Sequence, residues 1–101
     1  MKNYYVYILQ CSDDSYYTGV TNNVEKRFYE HQNGLIEKCY THSRRPLKLA
    51  GIENFCDINQ AIEREKQIKG WKRVKKEALI KKLYKDLPKL SVRYTPNKIK
   101  E

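Results

Sequence analysis

The chain has 101 residues and a formal charge of +9, from 21 Lys and Arg against 12 Asp and Glu. A chain of this length hides roughly two-thirds of the surface its unfolded form exposes, enough for one modest core, which excludes a multidomain arrangement. Its 40% hydrophobic and 12% aromatic content sets it apart from chains too polar to offset ordering entropy, so a folded, soluble protein is expected.

Tyr4–Gln10 (YYVYILQ) is β-branched and aromatic, CSDDS supplies turn chemistry, and YYTGV at 16–20 resumes strand composition, which predicts a β-hairpin. Thr21, Asn22 and Asn23 offer caps to a helix running to about Gln32, and Asn33-Gly34 supplies its stop signal. A basic loop, THSRRP at 41–46, follows. Leu47, Leu49, Ile52 and Phe55 alternate imperfectly and predict a third strand over 47–55. Asp57 and Asn59 can cap a helix from about Ile58 to Lys69. Gly70 breaks it before a last helix from about Lys72 to Lys85. Pro88 and Pro96 among mixed polar residues predict an extended tail over 87–101, leaving a domain of 1–86. The order β-β-α-β-α-α has too few crossovers for a doubly wound sheet and too many strands for a bundle, so the expected class is α+β, a small layered pair.

No run nears the roughly 18 apolar residues needed to span a bilayer, and MKNYYVYIL lacks both a sustained apolar region and a small-residue cleavage site. The expected location is cytoplasmic, with no membrane partner. Cys11, Cys39 and Cys56 form no CxxC pair and are odd in number, which argues against a disulfide framework or a zinc knuckle and for reduced thiols.

Charge is strongly polarised along the chain. Residues 1–63 carry 7 basic and 8 acidic side chains, whereas residues 64–101 carry 14 and 4. Within 64–85 there are 10 basic residues and 2 acidic ones, interleaved with Trp71 and Tyr84. A single exposed Lys on a helix means little. An excess on this scale, short of acids for i to i+4 pairing, points to a polyanion, and nucleic acid is favoured over a membrane surface.

Three polar residues fall in apolar stripes. At 100° per residue, Val24, Arg27, Phe28 and His31 lie within one arc of about 100°. Ala61, Glu65 and Ile68 likewise share a face. An unpaired buried ion costs several kcal/mol, so such groups must be paired, bound to metal, or open to a wet cleft. A half-buried Arg27–Glu65 ion pair is as well supported as the other readings, and a hydrogen-bonded structural histidine is favoured for His31. On the hairpin, Tyr7 and Tyr17 come within cross-strand reach beside Gly19 if the register makes their faces coincide.

These residues resemble the GIY-YIG nuclease superfamily, in its small single-domain bacterial branch. The segments that carry the resemblance are VYIL at 6–9, YYTGVTNNVEKRFYEH at 16–31, YTHSRRPLKL at 40–49 and AIEREKQIKGWKRVKKEALI at 61–80. Tyr7 matches the tyrosine of the first signature half, and Tyr17 with Gly19 the tyrosine and glycine of the second. Arg27 matches the helix arginine, His31 the residue one turn beyond it, and Glu65 the acid that ligates a divalent metal in the family. The signature halves here read Val6-Tyr7-Ile8 and Tyr17-Thr18-Gly19, and KKLYKDLPKL at 81–90 lacks the late Asn of many active relatives.

The resemblance implies a three-stranded antiparallel sheet flanked by helices, and cleavage of a nucleic-acid phosphodiester, DNA first, with one Mg²⁺ or Mn²⁺ on Glu65. A multi-acid two-metal site is not expected. Arg27 would clamp the nonbridging oxygens with planar donors. Tyr7 or His31 would serve as the base, and Tyr17 would orient the water or Tyr7. Gly19, Arg44, Arg45, Lys66, Lys69, Lys72, Arg73, Lys75 and Lys76 are the expected nucleic-acid contacts, with a partner protein as one possible source of selectivity. The main alternative is a nonenzymatic nucleic-acid-binding domain on the same scaffold. A protein-interaction module with a merely positive surface ranks last.

Overall fold

The computed structural model describes residues 2–84. Its elements are β1 (Tyr4–Gln10), β2 (Tyr16–Thr21), α1 (Val24–Gln32), a 3-10 turn (His42–Arg44), β3 (Lys48–Phe55), α2 (Ile58–Lys69) and α3 (Arg73–Tyr84). The three strands form one antiparallel sheet in the order β2-β1-β3. This is the α+β architecture expected from the sequence. The expected boundary after 86 and the tail over 87–101 lie outside the described residues, as does the expected last residue of α3, Lys85.

The local signals act where they were read. The Asn23 side chain accepts from the Lys26 backbone N–H at 3.1 Å and opens α1, and Asp57 accepts from the Asn59 N–H at 3.3 Å and opens α2. Gly34 adopts φ +69°, the left-handed conformation that ends a helical stretch without a Cβ penalty. Gly70 closes α2, its N–H returning to Lys66 and Gln67 carbonyls, and α3 begins at Arg73.

Strand alternation divides the sheet into two faces. Val6 and Ile8 pack with Ala50, Ala61, Ile68 and Leu79 beneath α2 and α3. Tyr7 and Leu9 pack with Cys11 and Leu47 against Val24 and Phe28 of α1. The imperfect alternation of β3 has a structural cause. Ile8 pairs with Gly51 but Leu9 pairs with Leu49, so Ala50 is an extra residue that bulges the strand, placing Ala50 and Gly51 together on the α2–α3 face and turning Leu49 to the other.

The segment between α1 and β3 is clamped by one side chain. Gln32 donates from Nε2 to the Leu47 carbonyl at 2.9 Å and accepts from the Leu47 N–H at 2.7 Å, treating the start of β3 as a neighbouring strand would. Among the described residues, no helix is long and apolar enough to cross a membrane.

Candidate active site

Register places the two phenols together. Tyr7 opposes Gly19 and Leu9 opposes Tyr17, so Tyr7 and Tyr17 are diagonal neighbours on the α1 face, with ring centroids 6.2 Å apart. Tyr7 is 1% exposed and the hydroxyl end of its ring lies against Gly19. A Cβ at Gly19 would stand 2.5 Å from the Tyr7 hydroxyl oxygen and 2.6 Å from Cζ, so this position has room for glycine alone.

His31 projects from the last turn of α1 into the same space and is 1% exposed. Its Nε2 lies 2.9 Å from the Tyr7 hydroxyl and its Nδ1 lies 2.8 Å from Thr41 Oγ1. The proton order along this chain follows from its far end. With the Thr41 hydroxyl hydrogen directed to Cys39 Sγ at 3.5 Å, the matching tautomer carries its hydrogen on Nδ1 and leaves Nε2 to accept from Tyr7. Burial, reinforced by the Arg27 cation, lowers the His31 pKa to about 4 and keeps the ring neutral.

Burial raises the Tyr7 phenol above its ordinary range, opposed by the guanidinium of Arg27 lying against its oxygen. Tyr17 is raised further, by burial first and then by Tyr7 and Cys39. For Cys39 the balance falls the other way. Burial works against the thiolate, but donors from Thr41 and Tyr17 and the charge of Arg27 outweigh it and lower the thiol pKa. Arg27 itself sits at the rim of the site, its side chain 40% exposed, bound to Glu30 at 3.2 Å. It also lines an open cleft of about 220 Å³ with Thr21, Asn22, Asn23 and Lys26.

Glu65 stands on α2, in the other layer, and its link to the phenols runs through Lys69. Its Oε2 is 2.8 Å from Lys69 Nζ, and that ammonium stands 5.8 Å over the Tyr17 ring. The Arg27–Glu65 ion pair open to the sequence does not form, because each partner has a neighbour on its own helix: Glu30 at i+3 and Lys69 at i+4. The two acids of the basic segment are both paired, Glu65 with Lys69 and Glu77 with Arg73.

Of the nine expected nucleic-acid contacts, Gly19 is buried against Tyr7 and Lys69 pairs with Glu65, and the other seven divide into two groups. Arg44 donates from Nε to Asp13 and from Nη1 to the Tyr40 carbonyl, Arg45 donates to the His42 carbonyl and packs against Gly34, and Arg73 binds Glu77 and the Asp14 carbonyl. These arginines brace loops. Lys66, Lys72 and Lys75 are exposed and Lys76 is half-exposed. Thr41, Cys39 and Tyr40, absent from the sequence reading as site residues, line the site from the loop clamped by Gln32. A run of polar residues without periodicity gives no sign of which of them turn inward.

Residues 3–78 match the GIY-YIG catalytic domain. The chain belongs to the GIY-YIG family. It is similar to a UPF0213 protein of Syntrophus aciditrophicus, with 48% identity over 80% of this chain and 93% of that protein. A UPF0213 protein of Clostridium perfringens is 50% identical over 75% of this chain and 81% of its own. The solution NMR structure of a UPF0213 protein from Bacillus halodurans superposes with a TM-score of 0.52 at 39% identity, covering 78% of this chain and 83% of that one. The GIY-YIG match spans every residue of the cluster, from Tyr7 to Glu65, together with the first turns of α3.

Proposed function

We propose that this GIY-YIG domain hydrolyses nucleic-acid phosphodiester bonds, DNA first, with the aid of one divalent cation held by Glu65. The observation that carries the reading is the convergence, around Gly19, of Tyr7, Tyr17, Arg27 and His31 from three elements, to which Glu65 of α2 is linked through Lys69.

The donor set fits a single hard cation. Among the described residues no three His, Cys, Asp or Glu side chains gather to enclose a metal, and Glu65 offers one half-buried carboxylate. One carboxylate, with waters and substrate oxygens completing the shell, is how Mg²⁺ is commonly held. When bound, such an ion supplies Lewis acidity toward phosphate oxygens and activates water.

The chain's own groups account for charge and proton movement. Arg27, exposed at the rim and lining the cleft with Lys26, meets the nonbridging oxygens with a planar fork. Tyr7 takes the proton of the attacking water as its own hydroxyl hydrogen passes to His31 Nε2. Thr41 holds His31 in the tautomer that can accept it, and Tyr17 packs both rings in place. The field of Arg27 depresses the basicity of His31. A phosphate anion on Arg27 cancels part of that field, so His31 becomes a stronger acceptor when substrate is present.

The purified protein is expected to cleave DNA with Mg²⁺ or Mn²⁺. Arg27→Ala and Glu65→Ala should each lose about 10²-fold or more in turnover, at unchanged circular dichroism. Cleavage that persists in chelator would overturn the role of Glu65. Salt-sensitive binding with no product under any cation would establish the nonenzymatic binding domain instead.

A further inference from the structure

Beyond the reacting groups, three flat groups form a stack that leads out of the site. The buried Tyr7 ring touches Tyr17, and Tyr17 stands beside Tyr40 with centroids 6.5 Å apart and planes inclined by only 17°. The Arg44 guanidinium carbon lies 3.8 Å over the Tyr40 ring centroid. Exposure rises along the series, from 1% at Tyr7 to 45% at Tyr40.

The hydrogen bonds of Arg44 define what it can offer a ligand. Nε is engaged by the Asp13 carboxylate at 3.0 Å and Nη1 by the Tyr40 carbonyl at 2.8 Å. The bond at Nε takes one of the two donors of the side-on fork, and the bond at Nη1 further fixes the group's orientation. The plane itself is immobilised, one face on Tyr40, with 34% of the side chain in solvent. A fixed cationic plane resting on an exposed aromatic ring suits another flat π-system, and nucleobases present that face whatever their identity.

We propose that Tyr40 and Arg44 form a stacking platform for a nucleobase adjoining the scissile phosphate, so that the protein selects strands with an unpaired base there. The inference rests on the nuclease reading and assigns its substrate class. A base inside a duplex is already stacked on both sides and cannot use the platform without extrusion, which costs a few kcal/mol. Tyr17 is shared between the stack and the reaction centre, so a base seated on the platform sets its own backbone beside Tyr7 and Arg27.

The test measures binding in full-length Glu65→Ala protein, where turnover does not interfere, by fluorescence anisotropy. The probes are a short single-stranded oligonucleotide, its blunt duplex, and the single strand with one abasic position. Tyr40→Ala should weaken single-strand binding roughly 10-fold or more, within the range for loss of one stacked base, and change duplex binding by less than about 2-fold. Tyr40→Phe should keep wild-type affinity, whereas Tyr40→Leu, apolar but not planar, should behave as Ala. In Tyr40→Ala protein the abasic position should cost nothing further. A 2-aminopurine base in the strand should change emission on binding to protein with Tyr40 and not to Tyr40→Ala. Equal losses on strand and duplex, or full affinity in Tyr40→Leu, would overturn the platform. Because these readouts need no cleavage, a protein that shows them yet yields no product retains the platform and loses the nuclease reading, and cleavage without them does the reverse.

Discussion

Gly19 and Tyr7 face one another across the hairpin, and the space between them leaves no place for a methyl group. Gly19→Ala must move the Tyr7 phenol off His31, and overpacking of this kind costs about 1–3 kcal/mol. The expected outcome is a folded protein with a lowered melting temperature and loss of cleavage, read by thermal denaturation beside a nuclease assay. His31 makes a second prediction, on pH. Its pKa falls from 6.5 in the unfolded chain to about 4 in the fold, so below pH 6.5 the unfolded state binds the extra proton. Stability should be full above that pH and decline as it drops toward 4, by roughly 3 kcal/mol at the limit. His31→Gln should flatten that dependence in melts run from pH 4 to 7. At this scale the sequence was informative where helical or strand periodicity set side-chain direction. Val24, Phe28 and His31 turn in as the 3.6-residue period requires, while the long side chain of Arg27 carries its charge to the rim. Thr41 and Cys39 were invisible, because their inward orientation depends on a loop path that no local pattern encodes.

The same loop supplies the test for elements. Gln32 substitutes for a strand partner at Leu47, and those two bonds hold the 33–47 segment closed over His31. Gln32→Ala leaves the half-buried Leu47 backbone polar groups without that partner, at a cost of about 1–3 kcal/mol. Amide exchange should speed up over residues 33–47 and stay slow in β1, and activity should fall more than stability does. Uniform acceleration across the sheet would show that the clamp supports the whole fold instead. The strands and helices themselves were legible to within a residue or so, since caps such as Asn23 and Asp57 and the Gly70 break act locally. The bulge at Ala50 was not. It appeared in the sequence only as broken alternation, because a bulge is defined by the partner strand, and pairing between β1 and β3 at that point spans roughly forty residues.

For the whole molecule, the polarity of charge along the chain becomes a layered one, with the basic residues on α2 and α3 and the reactive phenols on the far face of the sheet. Lys69, over Tyr17, joins the two at the β2 edge. Of the expected contacts on these helices, Arg73 and Lys69 are partnered by acids and Lys66, Lys72, Lys75 and Lys76 are left to meet a polyanion. About four phosphate contacts correspond to a slope near −3.6 for log K against log salt on duplex DNA. Titration between low and moderate salt checks this, and a flat response would remove the basic helices from recognition. The total charge was legible in the sequence, but which cations brace loops was not, since Arg44 and Arg73 meet partners thirty or more residues away. The central strand β1 has a further consequence. It gives alternate side chains to opposite layers, Val6 and Ile8 to the α2–α3 backing and Tyr7 to the candidate site. Heat tolerance can therefore be bred into the backing by varying residues such as Ala61, Ile68 and Leu79, leaving the face of the candidate site to be diversified in a separate library.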